Sequence, residues 1–174
     1  MEAEKIIDSQ IHYEGKHFKF KTDKIFLRNG KEIRRDLVEH PGSVAILPII
    51  NDELVLIRQY RYPAGKELLE IPAGTLEIGE SPQLCAAREL TEETGYAALS
   101  WSKLLSCYMT PGYSTEMLHI YIAEGLTEVG IEPEDDEFIK IEIYSFNKVL
   151  EMIENNIIED SKTITGILAY LTRA

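Results

Sequence analysis

A short helix standing between two blocks of strands restricts this chain more than any other feature. Ser81 and Pro82 open it, the serine as N-cap and the proline at the first helical position. Gly95 can close it, and Leu84, Ala87, Leu90 and Thr94 predict one weakly apolar side. Ahead of it, residues 12–28 hold two extended stretches, 17–20 and 24–27, separated by Thr22-Asp23. Asn29-Gly30 signals a two-residue hairpin leading into a strand over 32–38. Pro41-Gly42 precedes an apolar strand over 44–50, and the polar turn Asn51-Asp52 joins it to a partner over 54–57. A further strand is expected over 66–71. Behind the helix come strands over 104–108, 117–123 and 138–144, then helices over 146–153 and 164–171, the last capped by Asp160 or Ser161. Strands before, between and after a few helices predict an α+β sandwich rather than a doubly wound sheet.

The 174 residues suit one globular domain, and no repeat, low-complexity tract or linker divides them. Residues 1–40 read as an N-terminal strand subdomain and 41–174 as the main domain. Against 30 Asp and Glu stand 18 Lys and Arg, a formal net charge of -12. That balance argues against nucleic acid as a partner, because phosphate backbones need a basic patch. A small anionic substrate stays open where metal ions and local arginines reverse the field. The start Met1-Glu2-Ala3-Glu4-Lys5 lacks the basic residues and apolar run of a signal peptide. The longest apolar run, 44–50 with Pro48 inside it, is too short to cross a membrane. Cys85 and Cys107 form no Cys-x-x-Cys and have no His nearby, so they read as reduced thiols of a cytoplasmic protein.

Residues 74–96 carry the chemistry. Glu89, Glu92 and Glu93 crowd one short helix, where like charges three or four apart repel by roughly 0.2–0.5 kcal/mol per pair. Such crowding either solvates a face or holds hard divalent cations, which take oxygen ligands and offset the repulsion. Glu89 and Glu93 lie one turn apart and point toward one place. The turn Pro72-Ala73-Gly74 can expose a carbonyl as a further ligand. Arg88 is about 100° around the helix from Glu89, away from that face.

The spacing Gly74, five residues, Glu80, seven residues, Arg88-Glu89-Leu90, one residue, Glu92-Glu93, one residue, Gly95 resembles the Nudix box. Tyr96 departs from it, since an aliphatic residue is commoner there. The resemblance implies a Nudix-type α/β/α sandwich with a mixed sheet plus an N-terminal antiparallel strand subdomain. It also implies two or three Mg2+ ions, or Mn2+, held by Glu89, Glu93 and the Ala73 carbonyl, with Glu92 as ligand or water-mediated support. Arg88 and Glu80 then form a structural ion pair, and Gly74 and Gly95 make the turns of the motif.

Outside the box, Ile33-Arg34-Arg35-Asp36, the stretch from Val55 to Pro63, Leu68-Leu69-Glu70-Ile71, the segment around Pro111 and Asp160-Ser161-Lys162-Thr163 are similar to ADP-ribose pyrophosphatases. The implied reaction is metal-dependent hydrolysis of the diphosphate bond of ADP-ribose to AMP and ribose 5-phosphate. In that reading Glu92 and Glu93 act through the metals, and Glu137 is the general base, with Glu134 the alternative in the acidic loop 132–137. Arg61 binds the substrate phosphates, its planar fork matching phosphate oxygens. Arg34 or Arg35 reaches across a homodimer interface made by the N-terminal strands, Glu116 faces the terminal ribose, and Phe18 stacks on adenine. Plainer readings stand beside these: Arg61 as a surface arginine near a turn, Phe18 as a core aromatic, 132–137 as a solvated loop. Two rival functions also stay open. One is a diphosphatase for another nucleotide sugar such as GDP-mannose. The other is a non-catalytic Nudix-like domain that senses ADP-ribose, which tends to lose box carboxylates and to carry a DNA-binding module.

Overall fold

The computed structural model describes residues 4–130 and 138–173. The chain divides into two compact units, Met1–Gly42 with Tyr108–Met117, and Ser43–Cys107 with Leu118–Ala174.

The first unit is a three-stranded antiparallel sheet in the order β1 (Lys5–Glu14), β2 (Lys19–Phe26), β3 (Glu32–Glu39). The sequence expectation began too late, missing most of β1, and split β2 at Thr22-Asp23. Both residues stay in the strand because their side chains are satisfied across it. Ser9 Oγ donates to Asp23 Oδ1 at 2.6 Å, and Thr22 Oγ1 donates to Asp36 Oδ1 at 2.6 Å. Asn29-Gly30 does not form the expected two-residue hairpin. The turn is wider, with the Gly30 N–H donating to the Leu27 carbonyl at 3.0 Å and Gly30 at φ 82°. The Pro111 segment docks on the end of β3 through Val38 N–H to Tyr113 O, 2.8 Å, and Thr115 N–H to Val38 O, 3.0 Å.

In the second unit a seven-stranded sheet runs β10 (Ile139–Ser145), β5 (Glu53–Arg61), β4 (Ser43–Ile50), β9 (Met117–Glu128), β8 (Tyr96–Tyr108). β6 (Lys66–Glu70) pairs with β5, and β7 (Ala73–Thr75) pairs with β4. The β4–β9 pair is parallel and the β4–β5 and β5–β10 pairs antiparallel, so the sheet is mixed. Asn51 and Asp52 make the tight β4–β5 turn, both with positive φ, 50° and 62°. β4 reads as an unbroken apolar run because both its faces are covered.

Helix α1 (Pro82–Thr94) covers one face, where Cys85, Ala86 and Leu90 join Val44, Ile46, Tyr121 and Ala123. Helix α3 (Ser161–Leu171) covers the other. A Cβ on Gly166 would stand 3.0 Å from Leu47 Cδ1 and 3.2 Å from Ile71 Cδ1, so the missing side chain lets α3 sit close. Helix α2 (Phe146–Glu154) packs against β10. This is the expected α/β/α arrangement with a mixed sheet. Each fully buried Leu or Ile here contributes roughly 1.5–3 kcal/mol.

Two details differ from expectation. β8 begins eight residues before the anticipated Leu104, because Ala97-Ala98-Leu99 carry little strand preference while Tyr96, Ala98 and Trp101 pack on the core. The inner side of α1 is Cys85, Ala86, Leu90, Glu93 and Thr94; Leu90 and Thr94 are as expected, but Ala87 is only partly buried and Leu84 is 66% exposed.

Candidate active site

Two local structures build the site in the second unit. The first is the return of the chain from β6 into β7 through Ile71 and Pro72. It is fixed on β4 by the Ile46 N–H donating to the Pro72 carbonyl at 2.9 Å and by the Ala45–Ala73 and Val44–Gly74 pairs. The second is α1, started by Ser81, whose Oγ accepts the Leu84 N–H, and ended by Gly95 at φ 69°, whose N–H reaches the Thr91 carbonyl at 2.8 Å.

The helix lays its carboxylates on the start of β7. Glu93, 3% exposed, accepts the Ala73 N–H on Oε2 at 2.8 Å. Glu89 lies against Gly74 so closely that a Cβ there would fall 1.8 Å from its Oε1. Arg88 binds the outer carboxylates together. Its Nε and Nη2 donate to Glu80 Oε1 and Oε2, each at 3.1 Å, and its Nη1 donates to Glu89 Oε1 at 2.8 Å and Glu92 Oε2 at 2.9 Å. The helical angle that separates Arg88 from Glu89 is thus spanned by the length of the arginine, contrary to the sequence expectation. Nη2 also reaches the Thr75 carbonyl at 3.5 Å and Cys85 Sγ at 3.4 Å.

The electrostatics follow from these bonds. The Arg88 guanidinium holds the Glu80 carboxyl down at about 2, against the opposing effect of burial, with help from the Glu77 N–H. Burial first, and the neighbouring Glu80 second, push the Cys85 thiol up to about 12, so it stays protonated and inert. Among the described residues, no three His, Cys, Asp or Glu side chains form a ready cation cage. Arg88 Nη1 places positive charge between Glu89 and Glu92.

Arg61, at the end of β5, is held by Glu70 in a two-pronged pair, Nε to Oε1 at 2.9 Å and Nη2 to Oε2 at 2.8 Å. Glu70, only 1% exposed, was quoted within a resembling segment but given no role; the further signal was a charge among Leu68, Leu69 and Ile71. Lys162 was likewise quoted without a role, and it too pairs with Glu70.

Phe18, Arg34, Arg35 and Glu116 belong to the first unit. Phe18 is 44% exposed with its ring 6.1 Å from that of Tyr13. Arg34 and Arg35 are exposed neighbours on β3, opposite Lys24 and Asp23 of β2. The Glu116 N–H donates to Ser114 Oγ at 3.1 Å. Glu134 and Glu137 lie outside the described residues.

The NUDIX domain family profile matches residues 39–164. The chain is 38% identical to a methanol dehydrogenase activator of Bacillus methanolicus, over 94% of this chain and 90% of the relative. It is 36% identical to an ADP-ribose pyrophosphatase of Bacillus subtilis (strain 168), with the same coverage of 94% and 90%. A solved structure described as an ADP compounds hydrolase shares the fold, with a TM-score of 0.86 at 21% identity, covering 99% of this chain and 94% of that one. Among the described residues, no helix is long and apolar enough to cross a membrane.

Proposed function

The chain belongs to the Nudix family, and on that basis we propose that it hydrolyses the diphosphate bond of ADP-ribose to AMP and ribose 5-phosphate. The observation that carries this reading is the convergence of Glu93 and Glu89 on Ala73 and Gly74, which open strand β7 rather than form the expected turn. The choice of substrate is supported by the extent of the likeness to the Bacillus subtilis ADP-ribose pyrophosphatase.

Nudix hydrolases generally work with divalent metal ions. The donors at the start of β7 fit such ions: all are hard oxygens, and Gly74 leaves a carboxylate the space a Cβ would fill. Glu89, Glu93 and the Ala73 carbonyl, with Glu92 beside them, would hold two or three Mg2+ or Mn2+ ions. When bound, the ions supply positive charge to the diphosphate oxygens and acidify the attacking water. Glu137, or Glu134 in its place, takes the proton from that water. Arg88 and Glu80 keep the outer carboxylates in place. Arg61 pairs with the phosphate oxygens.

A homodimer through the N-terminal strands completes the proposal. All ten residues of β1, an edge strand, are exposed, Ile6, Ile7, Ile11 and Tyr13 among them. In that dimer Arg34 or Arg35 reaches the substrate of the other subunit, Phe18 stacks on the adenine and Glu116 meets the terminal ribose. A cytoplasmic location is consistent with Cys85 and Cys107 standing as thiols rather than as a disulfide.

Purified protein with Mg2+ is expected to release AMP and ribose 5-phosphate from ADP-ribose, identified by mass, faster than it cleaves GDP-mannose. Faster cleavage of GDP-mannose would replace the substrate, and binding without turnover in any metal would make the protein a sensor. Glu93→Gln should cut hydrolysis by orders of magnitude while nucleotide affinity survives. Unchanged turnover in that variant refutes the ligand assignment.

A further inference from the structure

The Asp160-Ser161-Lys162-Thr163 motif and Glu70 form one bonded chain that the proposed reaction leaves without a role. Asp160 is the N-cap of α3, its Oδ2 accepting the Thr163 N–H at 2.9 Å and the Thr163 hydroxyl at 2.6 Å. Thr163 Oγ1, fully buried, accepts the Ile71 N–H at 2.9 Å, two residues before Ala73. Lys162 Nζ bridges Asp160 Oδ2, at 3.0 Å, and Glu70 Oε2. Glu70 in turn closes on the Nε–Nη2 edge of Arg61, which leaves Nη1 outside the fork.

A carboxylate this deep is a poor choice for stability alone. Well-packed apolar residues in place of a buried ion pair are often neutral or stabilising. Burial opposes the ionisation of Glu70, yet Arg61 and Lys162 together hold its carboxyl below the ordinary value. The Arg61 side chain is still 36% exposed, and its charge is favoured by Glu93 as well as by Glu70. The arginine therefore has one edge clamped by Glu70 and feels the charge of Glu93.

We propose that Glu70 is a positioning residue: it clamps one edge of Arg61 so that the guanidinium is held ready for a phosphate oxygen, and Lys162, anchored at the cap of α3, fixes Glu70 in turn. A fork held in place before binding loses less freedom when the phosphate arrives. The inference rests on the assignment of Arg61 to the substrate phosphates.

The test is a double-mutant cycle of Glu70→Gln and Arg61→Ala. It is read by KM and kcat on whichever nucleoside diphosphate compound the wild type cleaves, and by calorimetric binding of inorganic pyrophosphate without metal. Glu70→Gln should raise KM and weaken pyrophosphate binding by about ten-fold or more, with a smaller change in kcat. In the Arg61→Ala background the same substitution should add nothing. An equal effect in both backgrounds would make Glu70 a fold element only, and overturn the proposal. So would pyrophosphate binding that does not depend on Arg61. Should Glu70→Gln fail to fold, Glu70→Asp keeps the charge beside Lys162 while withdrawing the clamp, and must raise KM in the same direction; a wild-type KM there also overturns it. Protein that binds pyrophosphate in an Arg61- and Glu70-dependent way but releases no AMP from ADP-ribose refutes the proposed reaction and leaves this inference intact.

Discussion

Gly74→Ala separates the placement of Glu89 from the stability of the fold. The new Cβ would stand 1.8 Å from Glu89 Oε1, 1.9 Å from its Cδ and 2.5 Å from its Cγ, where real contacts stop near 3.0 Å. The carboxylate must therefore retreat by about 1 Å or more, and it can, since it is the far end of a flexible side chain. Retreat stretches the 2.8 Å bond from Arg88 Nη1. Losing that partly buried, charge-assisted bond costs roughly 1.5–3 kcal/mol, and removing glycine freedom from the unfolded chain returns about 0.4–1 kcal/mol. A domain stable by about 5–15 kcal/mol stays folded through such a change. Catalysis is less tolerant, because a displacement of about 1 Å in a reacting constellation can cost around 100-fold. The expected outcome is a melting temperature within a few degrees of wild type and AMP release from ADP-ribose down by roughly two orders of magnitude. Thermal unfolding and product quantification by chromatography on the same preparation give both numbers. A folded Gly74→Ala enzyme with wild-type turnover would refute the reasoning, since Glu89 could then work from somewhere other than beside Gly74.

Other measurements probe what surrounds the site. Thr163→Val keeps the shape of a fully buried residue but strands the Ile71 N–H, and should destabilise the protein by roughly 1–3 kcal/mol in denaturant titration. Glu80 and Glu142 are both held from 4.5 down to about 2, chiefly by Arg88 and Arg58. A depressed folded value means their stabilisation is complete above 4.5 and is lost as the pH falls toward 2. The melting temperature should fall across that window, and Glu142→Gln should flatten the fall; an unchanged slope would count against the Arg58 pair.

The architecture was legible where backbone chemistry dominates. Ser81-Pro82 and Gly95 bound α1 because a side-chain acceptor, a fixed φ and a left-handed residue each act within one turn. Asn51-Asp52 marked its hairpin for the same local reason. The buried side of α1 was read correctly at Leu90 and Thr94 but not at Leu84, because hydrophobicity was the only guide and this helix turns Glu93 inward while Leu84 faces water. The box spacing put Glu89 and Glu93 on one turn of helix, but nothing in that spacing reveals that Arg88 bridges Glu80, Glu89 and Glu92. The Glu70–Lys162 contact joins residues far apart in the chain, and no local pattern announces such a pair.

The parallel pairing of β4 with β9 has a kinetic consequence. Ser43 meets Leu118, so everything from β5 through β8, the carboxylate-bearing helix included, lies in the stretch that must fold back before those two strands join. Long closures of this kind are slow steps in chain assembly. Turnover regained after dilution from denaturant should therefore trail the return of helical signal, making enzyme activity a clock for the last stage of refolding.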